Sequence, residues 1–253
     1  MKSIVARVCV PCCALVLFSF ATVSAGAGAA PGDWKPLFNG KDLTGWSVAA
    51  GRGGANATPA NWKVEDGVLV GGQGSGRGSL VTNDQFKDFA LELDFQLAEH
   101  GTQCSPERTG PEQANASVDK TCTYNSGVSF RTGYQVNIGR REAGEYIGIV
   151  VHRVSPKALG PQHNVLWLDT GDDKFPGLRK KEQWNHLQIT AKGPHITVAL
   201  NGKQICDVTD DPTDPAEAKW KEAGPISLQW PPAGEAGGFA GYVKYRNIRI
   251  REL

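Results

Sequence analysis

Residues Phe89 to Leu97 read Phe-Ala-Leu-Glu-Leu-Asp-Phe-Gln-Leu, with bulky apolar side chains alternating against Ala90, Glu92, Asp94 and Gln96. A period of two sends the two sets to opposite faces, so this segment is a β-strand with one buried face. A sheet with one apolar face must bury it against a second layer. Further strand-like segments follow the same logic: Trp62 to Glu65, Val68 to Gly71, Ser126 to Phe130, Tyr134 to Ile138, Tyr146 to Val151 and Asn164 to Leu168. Trp184 to Ala191, His195 to Leu200, Lys203 to Val208, Ile226 to Gln229 and Val243 to Ile250 complete the set. Asp66-Gly67 and Asn201-Gly202 mark tight hairpins, because those residue pairs accept positive φ. Only Pro215 to Glu222 reads as a helical turn. The 31 glycines and 15 prolines suit many short strands joined by turns. The expectation is an all-β sandwich of two antiparallel sheets, without internal repeat or domain boundary.

The first 25 residues carry a different signal. Lys2 and Arg7 precede an apolar run from Val8 to Phe20, and Val23-Ser24-Ala25 offers small residues for cleavage. This is the pattern of a secretory signal peptide, residues 1–25, and it predicts a secreted or periplasmic protein with no membrane span after its removal. Gly26 to Asp33 reads as a flexible leader, and 34–253 as one domain. Removal of Lys2 and Arg7 turns 27 basic against 26 acidic residues into 25 against 26. Such a balance argues against nucleic acid, whose binders carry a basic bias. Three of the six cysteines also leave, and Cys104, Cys122 and Cys206 remain. Cys104 and Cys122 bracket a polar loop inside the insertion 98–124, and an oxidising compartment favours their pairing. Closing that loop is worth about 3 kcal/mol in the chain-entropy view. Cys206 lies in an apolar strand pattern and reads as a buried free thiol.

The familiar catalytic signatures are absent: no nucleophile elbow, phosphate loop, dinucleotide fingerprint or His-Glu-x-x-His. No two of the five histidines stand at metal-ligand spacing, and no metal ligands are assigned. Asp169-Thr170-Gly171-Asp172-Asp173 has oxygen ligands for a hard cation, but a solvated acidic turn is the preferred explanation. His186 and His195 fall in a hairpin and read as solvent-facing. The densest polar stretch is Asn125-Ser126-Gly127-Val128-Ser129-Phe130-Arg131, followed by Tyr134-Gln135-Val136-Asn137. An Arg and amides on neighbouring strands can hydrogen-bond sugar hydroxyls or a carbonyl; a plain solvated sheet face is the alternative. A two-residue turn at Thr132-Gly133 would pair Gln135 with Phe130 and Asn137 with Val128. The amides would then share a face with apolar residues, so either the turn is wider or that face is a half-apolar groove.

Several segments together resemble the 3-keto-disaccharide hydrolase domain family. They are Leu37-Phe38-Asn39-Gly40-Lys41-Asp42-Leu43-Thr44-Gly45-Trp46, Trp62-Lys63-Val64-Glu65-Asp66-Gly67, the Phe89 strand, Asn125 to Arg131, Gly133-Tyr134-Gln135, Trp184-Asn185-His186, Leu200-Asn201-Gly202 and Arg246-Asn247-Ile248-Arg249-Ile250. The resemblance spans Trp34 to Leu253. It implies a concanavalin A-like jelly roll that handles glycosides oxidised to a ketone at C3. The ketone acidifies the C2 proton, so one base can start elimination of the C1 substituent, and water addition completes a net hydrolysis. Such chemistry needs a base and a stabiliser for the enolate, be it Arg, amide donors or a divalent metal.

The chain departs from the family pattern where acids are common. Gln135 and Asn137 stand in place of Asp or Glu, His152 and Arg153 follow the Tyr146 segment, and Trp230 follows Leu228-Gln229. Glu145 and His152 are then the candidate bases, and Arg131 would polarise the ketone. Asn125, Tyr134, Gln135, Asn137, Arg153 and Gln229 would bind the sugar, with Trp230 stacking on its ring. The alternative is a carbohydrate-binding sandwich that kept the scaffold and lost the base; an envelope protein using the sandwich for adhesion is the third reading.

Overall fold

The Phe89 alternation lies at the centre of the molecule. A computed structural model of the chain describes residues 32–49, 59–72, 78–98, 124–141, 144–145, 147–152, 157–159, 167–168, 178–180, 183–211, 218–230 and 242–253. In chain order the strands described are β1 (Lys35–Pro36), β2 (Trp46–Val48), β3 (Lys63–Glu65), β4 (Val68–Gly71), β5 (Leu80–Thr82), β6 (Phe89–Ala98), β7 (Tyr124–Phe130), β8 (Tyr134–Arg141), β9 (Gly144–Glu145), β10 (Val150–His152), β11 (Lys157–Leu159), β12 (Trp167–Leu168), β13 (Asn185–Lys192), β14 (His195–Leu200), β15 (Lys203–Thr209), β16 (Ser227–Leu228) and β17 (Tyr242–Glu252). They form two sheets, and every ladder is antiparallel.

The first sheet runs β15-β14-β13-β6-β17-β4-β3, with β1 beside β17. The second runs β11-β10-β8-β7-β16-β5-β2, and β9 and β12 extend it from the end of β8. Phe89, Leu91, Leu93, Phe95 and Leu97 of β6 all point inward and are buried. They share one core with Val128, Phe130, Val136, Ile138 and Leu228 of the second sheet. Across it Phe89 and Phe130 meet edge to face, ring centroids 5.5 Å apart. Each fully buried Leu or Phe contributes about 1.5–3 kcal/mol, which is what holds the two layers together.

The turns follow the sequence reading where it was specific. Asp66 and Gly67 take φ of 50° and 80°, and Asn201 and Gly202 take 49° and 81°, closing the β3–β4 and β14–β15 hairpins. Between β7 and β8 the wider turn is the one adopted. Arg131, Thr132 and Gly133 lie between the paired residues Phe130 and Tyr134. Gln135 therefore faces Ser129 and Asn137 faces Gly127, not Phe130 and Val128. The amides point away from the core, and the conflict with the apolar residues disappears.

Other expectations are corrected. Tyr146 to Val151 is not one strand: Ile147 and Gly148 form a turn, with Gly148 at φ 87°, and β10 begins at Val150. Of Pro215 to Glu222, a single 3-10 turn at Lys219–Lys221 is described. Strands β1, β2, β5, β9 and β11 were not anticipated. Residues 1–31, with the signal pattern and most of the leader, most of the 98–124 insertion with Cys104 and Cys122, Arg153 and the Asp169–Asp173 cluster lie outside the described residues. Cys206 is a free thiol, half-buried rather than buried, and burial raises its pKa.

Candidate active site on the outward face of the second sheet

The register of β7, β8, β10 and β16 gathers Ser129, Gln135, Asn137 and Gln229 on one outward face. Gln135 is the hub. Its Nε2 donates to Asn137 Oδ1 at 3.0 Å and to Gln229 Oε1 at 2.6 Å, while Ser129 Oγ donates to its Oε1 at 3.4 Å. Gln135 is only 3% exposed, whereas Asn137, Gln229 and Ser129 are half-buried. Its amide lies over Gly127, where a Cβ would stand 2.6 Å from Nε2. Glycine at 127 is therefore a packing requirement of the hub.

Gln229 is fixed from its backbone. Its N–H donates to Gly127 O at 2.9 Å and its carbonyl accepts from Ser126 Oγ at 2.8 Å. That serine proton is spent, so Tyr245 donates its hydroxyl to Ser126 Oγ at 2.9 Å inside the core. With their oxygens turned to Gln135, the NH2 groups of Asn137 and Gln229 have no partner among the described residues. The face thus presents amide donors, suited to a carbonyl or hydroxyl oxygen.

The remaining candidates divide. Arg131, expected to polarise the ketone, is fully buried and so placed away from any ligand on this face. Its Nε donates to Lys87 O, Nη1 to Gly193 O at 2.7 Å and Nη2 to Asp88 Oδ1 at 2.8 Å. Asp88 Oδ1 also accepts the Gly193 N–H at 2.9 Å. Arg131 therefore ties the β7–β8 turn of one sheet to the start of β6 and the β13–β14 turn of the other. Burial draws its pKa down, and Asp88 opposes that.

Tyr134 and His152 pair directly across β8 and β10, on the inner face with Val136 and Val150. Alternation decides this: each is an even step from buried neighbours, so the same strands cannot show them and Gln135 to one ligand. Tyr134 donates to Asp210 Oδ2 at 2.6 Å and accepts the Trp220 N–H at 3.1 Å. His152 Nε2 stands 3.9 Å from the same carboxylate oxygen, with its ring edge-on to Tyr134. Burial, then Asp210, push the Tyr134 phenol well above its ordinary pKa. Trp230 is also a core residue, 4% exposed and edge-on to Trp62 at 5.4 Å, not a platform for a sugar ring. The backbone of Asn125 stands opposite Gly139, and that of Glu145 opposite Arg140 and Trp167. Ser129 and Gly127 were missed as site residues; counting the turn as three residues would have put both beside the amides.

The outward face of the first sheet is built differently. Glu92 accepts from Gln188 at 2.8 Å and from both Nε (2.8 Å) and Nη2 (2.5 Å) of Arg249. Asp94 meets His186 Nδ1 at 2.9 Å and accepts from Asn247 Nδ2 at 2.7 Å and Arg246 Nε at 3.3 Å. Arg246 lies over Trp184, 4.0 Å from the ring centroid. Burial raises both carboxyl pKa values, but these hydrogen bonds outweigh it and leave each below its ordinary value. His195, half-exposed, pairs with Asp207 at 2.7 Å. Among the described residues no three His, Cys, Asp or Glu side chains gather as a metal site.

Among the described residues of this outer face, Ser129, Gln135, Asn137, Ser227 and Gln229 are uncharged. Residues 33–251 match the 3-keto-alpha-glucoside-1,2-lyase-like domain family, and the chain belongs to that family. A stretch of 73 residues is 33% identical to a 3-keto-disaccharide hydrolase of Bacteroides thetaiotaomicron. The stretch is 26% of this chain and only 23% of that protein's length. The fold is similar to the laminarinase catalytic domain of Thermotoga maritima, with TM-score 0.55 and 13% identity over 88% of this chain and 98% of that one. It is also similar to a non-specific endo-beta-1,3(4)-glucanase, with TM-score 0.52 and 13% identity over 89% and 93% of the two chains. At such identities these likenesses establish the jelly-roll sandwich alone.

Proposed function

We propose that the outward face of the second sheet binds a glycoside carrying a ketone at C3, and that the protein cleaves it. A base removes the C2 proton, the resulting enolate expels the C1 oxygen substituent, and water adds across the new C1–C2 double bond. The net products are a 3-keto sugar and the released alcohol or sugar. The observation that carries this reading is the Gln135-centred amide cluster, with the NH2 groups of Asn137 and Gln229 as donors to the developing enolate oxygen. Donors fixed before the reaction stabilise such charge without reorganising, an effect worth about 10²–10³ in kcat for a single donor. Family membership supports the substrate class. His152 is turned into the core beside Asp210, which leaves Glu145 as the other base that the sequence offers. The secretory leader adds an exported location, where oxidised oligosaccharides would be met outside the cytoplasm.

The test is incubation of the purified protein with 3-keto-trehalose, following the released sugar, with Glu145→Gln in parallel. Turnover by the wild type and its loss in the variant are expected. Absence of release with saturable sugar binding would instead favour a non-catalytic carbohydrate-binding protein. That second reading has one observation behind it: the described side chains Ser129, Gln135, Asn137, Ser227 and Gln229 of the face include no carboxylate.

A further inference from the structure

Gln135 stands in the polar stretch that suggests sugar binding, yet its geometry gives it another task. It is almost wholly buried, donates both amide protons to neighbouring amide oxygens and accepts from Ser129. We infer that Gln135 is a positioning residue that sets the polarity of the sugar-binding face: by donating twice from beneath, it turns the oxygens of Asn137 and Gln229 inward and their NH2 groups outward. The inference rests on the proposed use of this face, and it adds the residue that makes the face a donor to ligand oxygen.

The reasoning is one of hydrogen-bond arithmetic. A carboxamide has a donor end and an acceptor end, roughly opposed. Whichever end is tied down, the other faces the ligand. Asn137 and Gln229 reach the hub from different strands, one on β8 and one just beyond β16, so only a shared partner makes their ends agree. Gln135 is that partner because Gly127 leaves room for its amide. Replacing the two donated protons with a carboxylate should reverse both amides and present oxygens where donors stood.

Gln135→Glu tests this with almost no change of shape. At neutral pH a carboxylate accepts from Asn137 and Gln229, and kcat/KM for 3-keto-trehalose should fall about 100-fold, the scale of a misplaced reacting group. As pH falls the introduced carboxyl is protonated and donates one proton again. The ratio of variant to wild-type kcat/KM should therefore rise at acid pH, a recovery that a loss of stability would not produce. Gln135→Met should lose activity to a similar extent, and should lose nothing further in an Asn137→Ala, Gln229→Ala background. Activity within twofold of wild type in both Gln135 variants, or additive losses in that background, would overturn the inference. An activity-independent reading is the side-chain NH2 resonances of Asn137 and Gln229 in heteronuclear NMR spectra. They should shift between wild type and Gln135→Glu, and unchanged resonances also overturn it. Failure of the wild type to cleave 3-keto-trehalose counts against the proposed function, while the NMR comparison still decides the role of Gln135.

Discussion

The two outward faces of this sandwich are both polar, but they spend their polarity differently. On the first sheet Glu92 and Asp94 are each surrounded by donors: Arg249 and Gln188 for one, His186, Asn247 and Arg246 for the other. Both of these carboxylates are answered within the described face. On the second sheet the described groups around Gln135 are neutral, and the hub consumes only one end of each neighbouring amide. A face whose hydrogen bonds close on themselves adds to stability; one with donors left over is prepared for a ligand.

Perturbing the frame common to both faces should have the largest effect. Arg131→Met removes a buried cation and strands two carbonyls and Asp88, so a loss of about 3 kcal/mol or more is expected in urea denaturation. A loss under about 1 kcal/mol would mean that the two sheets do not depend on this tie. Next comes the neutral face. Asn137→Ala combined with Gln229→Ala should lower kcat/KM about 100-fold while shifting the urea midpoint little. A large midpoint shift with unchanged turnover would move this face into the structural column. On the charged face the order inverts: Arg249→Gln should cost about 1 kcal/mol or less, because the guanidinium is half-exposed, and turnover should stay at the wild-type level.

The smallest effect is one of pH. Glu92 and Asp94 are held below the ordinary carboxylate range in the folded chain. Their contribution is complete above the unfolded-state values and fades as pH falls through the depressed folded values, so the window lies below about pH 4. Melting temperature against pH should fall less steeply there for the Glu92→Gln, Asp94→Asn double variant. Parallel acid limbs in variant and wild type would show that the charged face contributes no acid sensitivity.

Much of the sandwich was legible because burial leaves a period in the sequence. Phe89 to Leu97 and the Asp66-Gly67 and Asn201-Gly202 turns need no tertiary knowledge. Strands of two or three residues such as β1, β2 and β5 have no period to read, and only their ladder partners define them. At the site, residue type misled where alternation would not have. Tyr134 and His152 look like ligand contacts, yet their parity with Val136 and Val150 sends them inward to Asp210. Arg131 was visible as a cation, but its partners Lys87, Asp88 and Gly193 are remote in sequence. The approach of Gln135 over Gly127 depends on how two strands cross and leaves no mark in either strand alone.

The three-residue turn from Arg131 to Gly133 carries a consequence for how this sequence can change. Deleting one residue there would shift β8 by a single step against β7, exchanging Tyr134, Val136 and Ile138 with Gln135 and Asn137. Amides would enter the core and the aromatic ring would leave it. Substitutions at the site are thus open to gradual drift, whereas insertions and deletions in this turn are closed. Descendants of the chain can retune the amide face residue by residue, but only while the length of that turn is inherited intact.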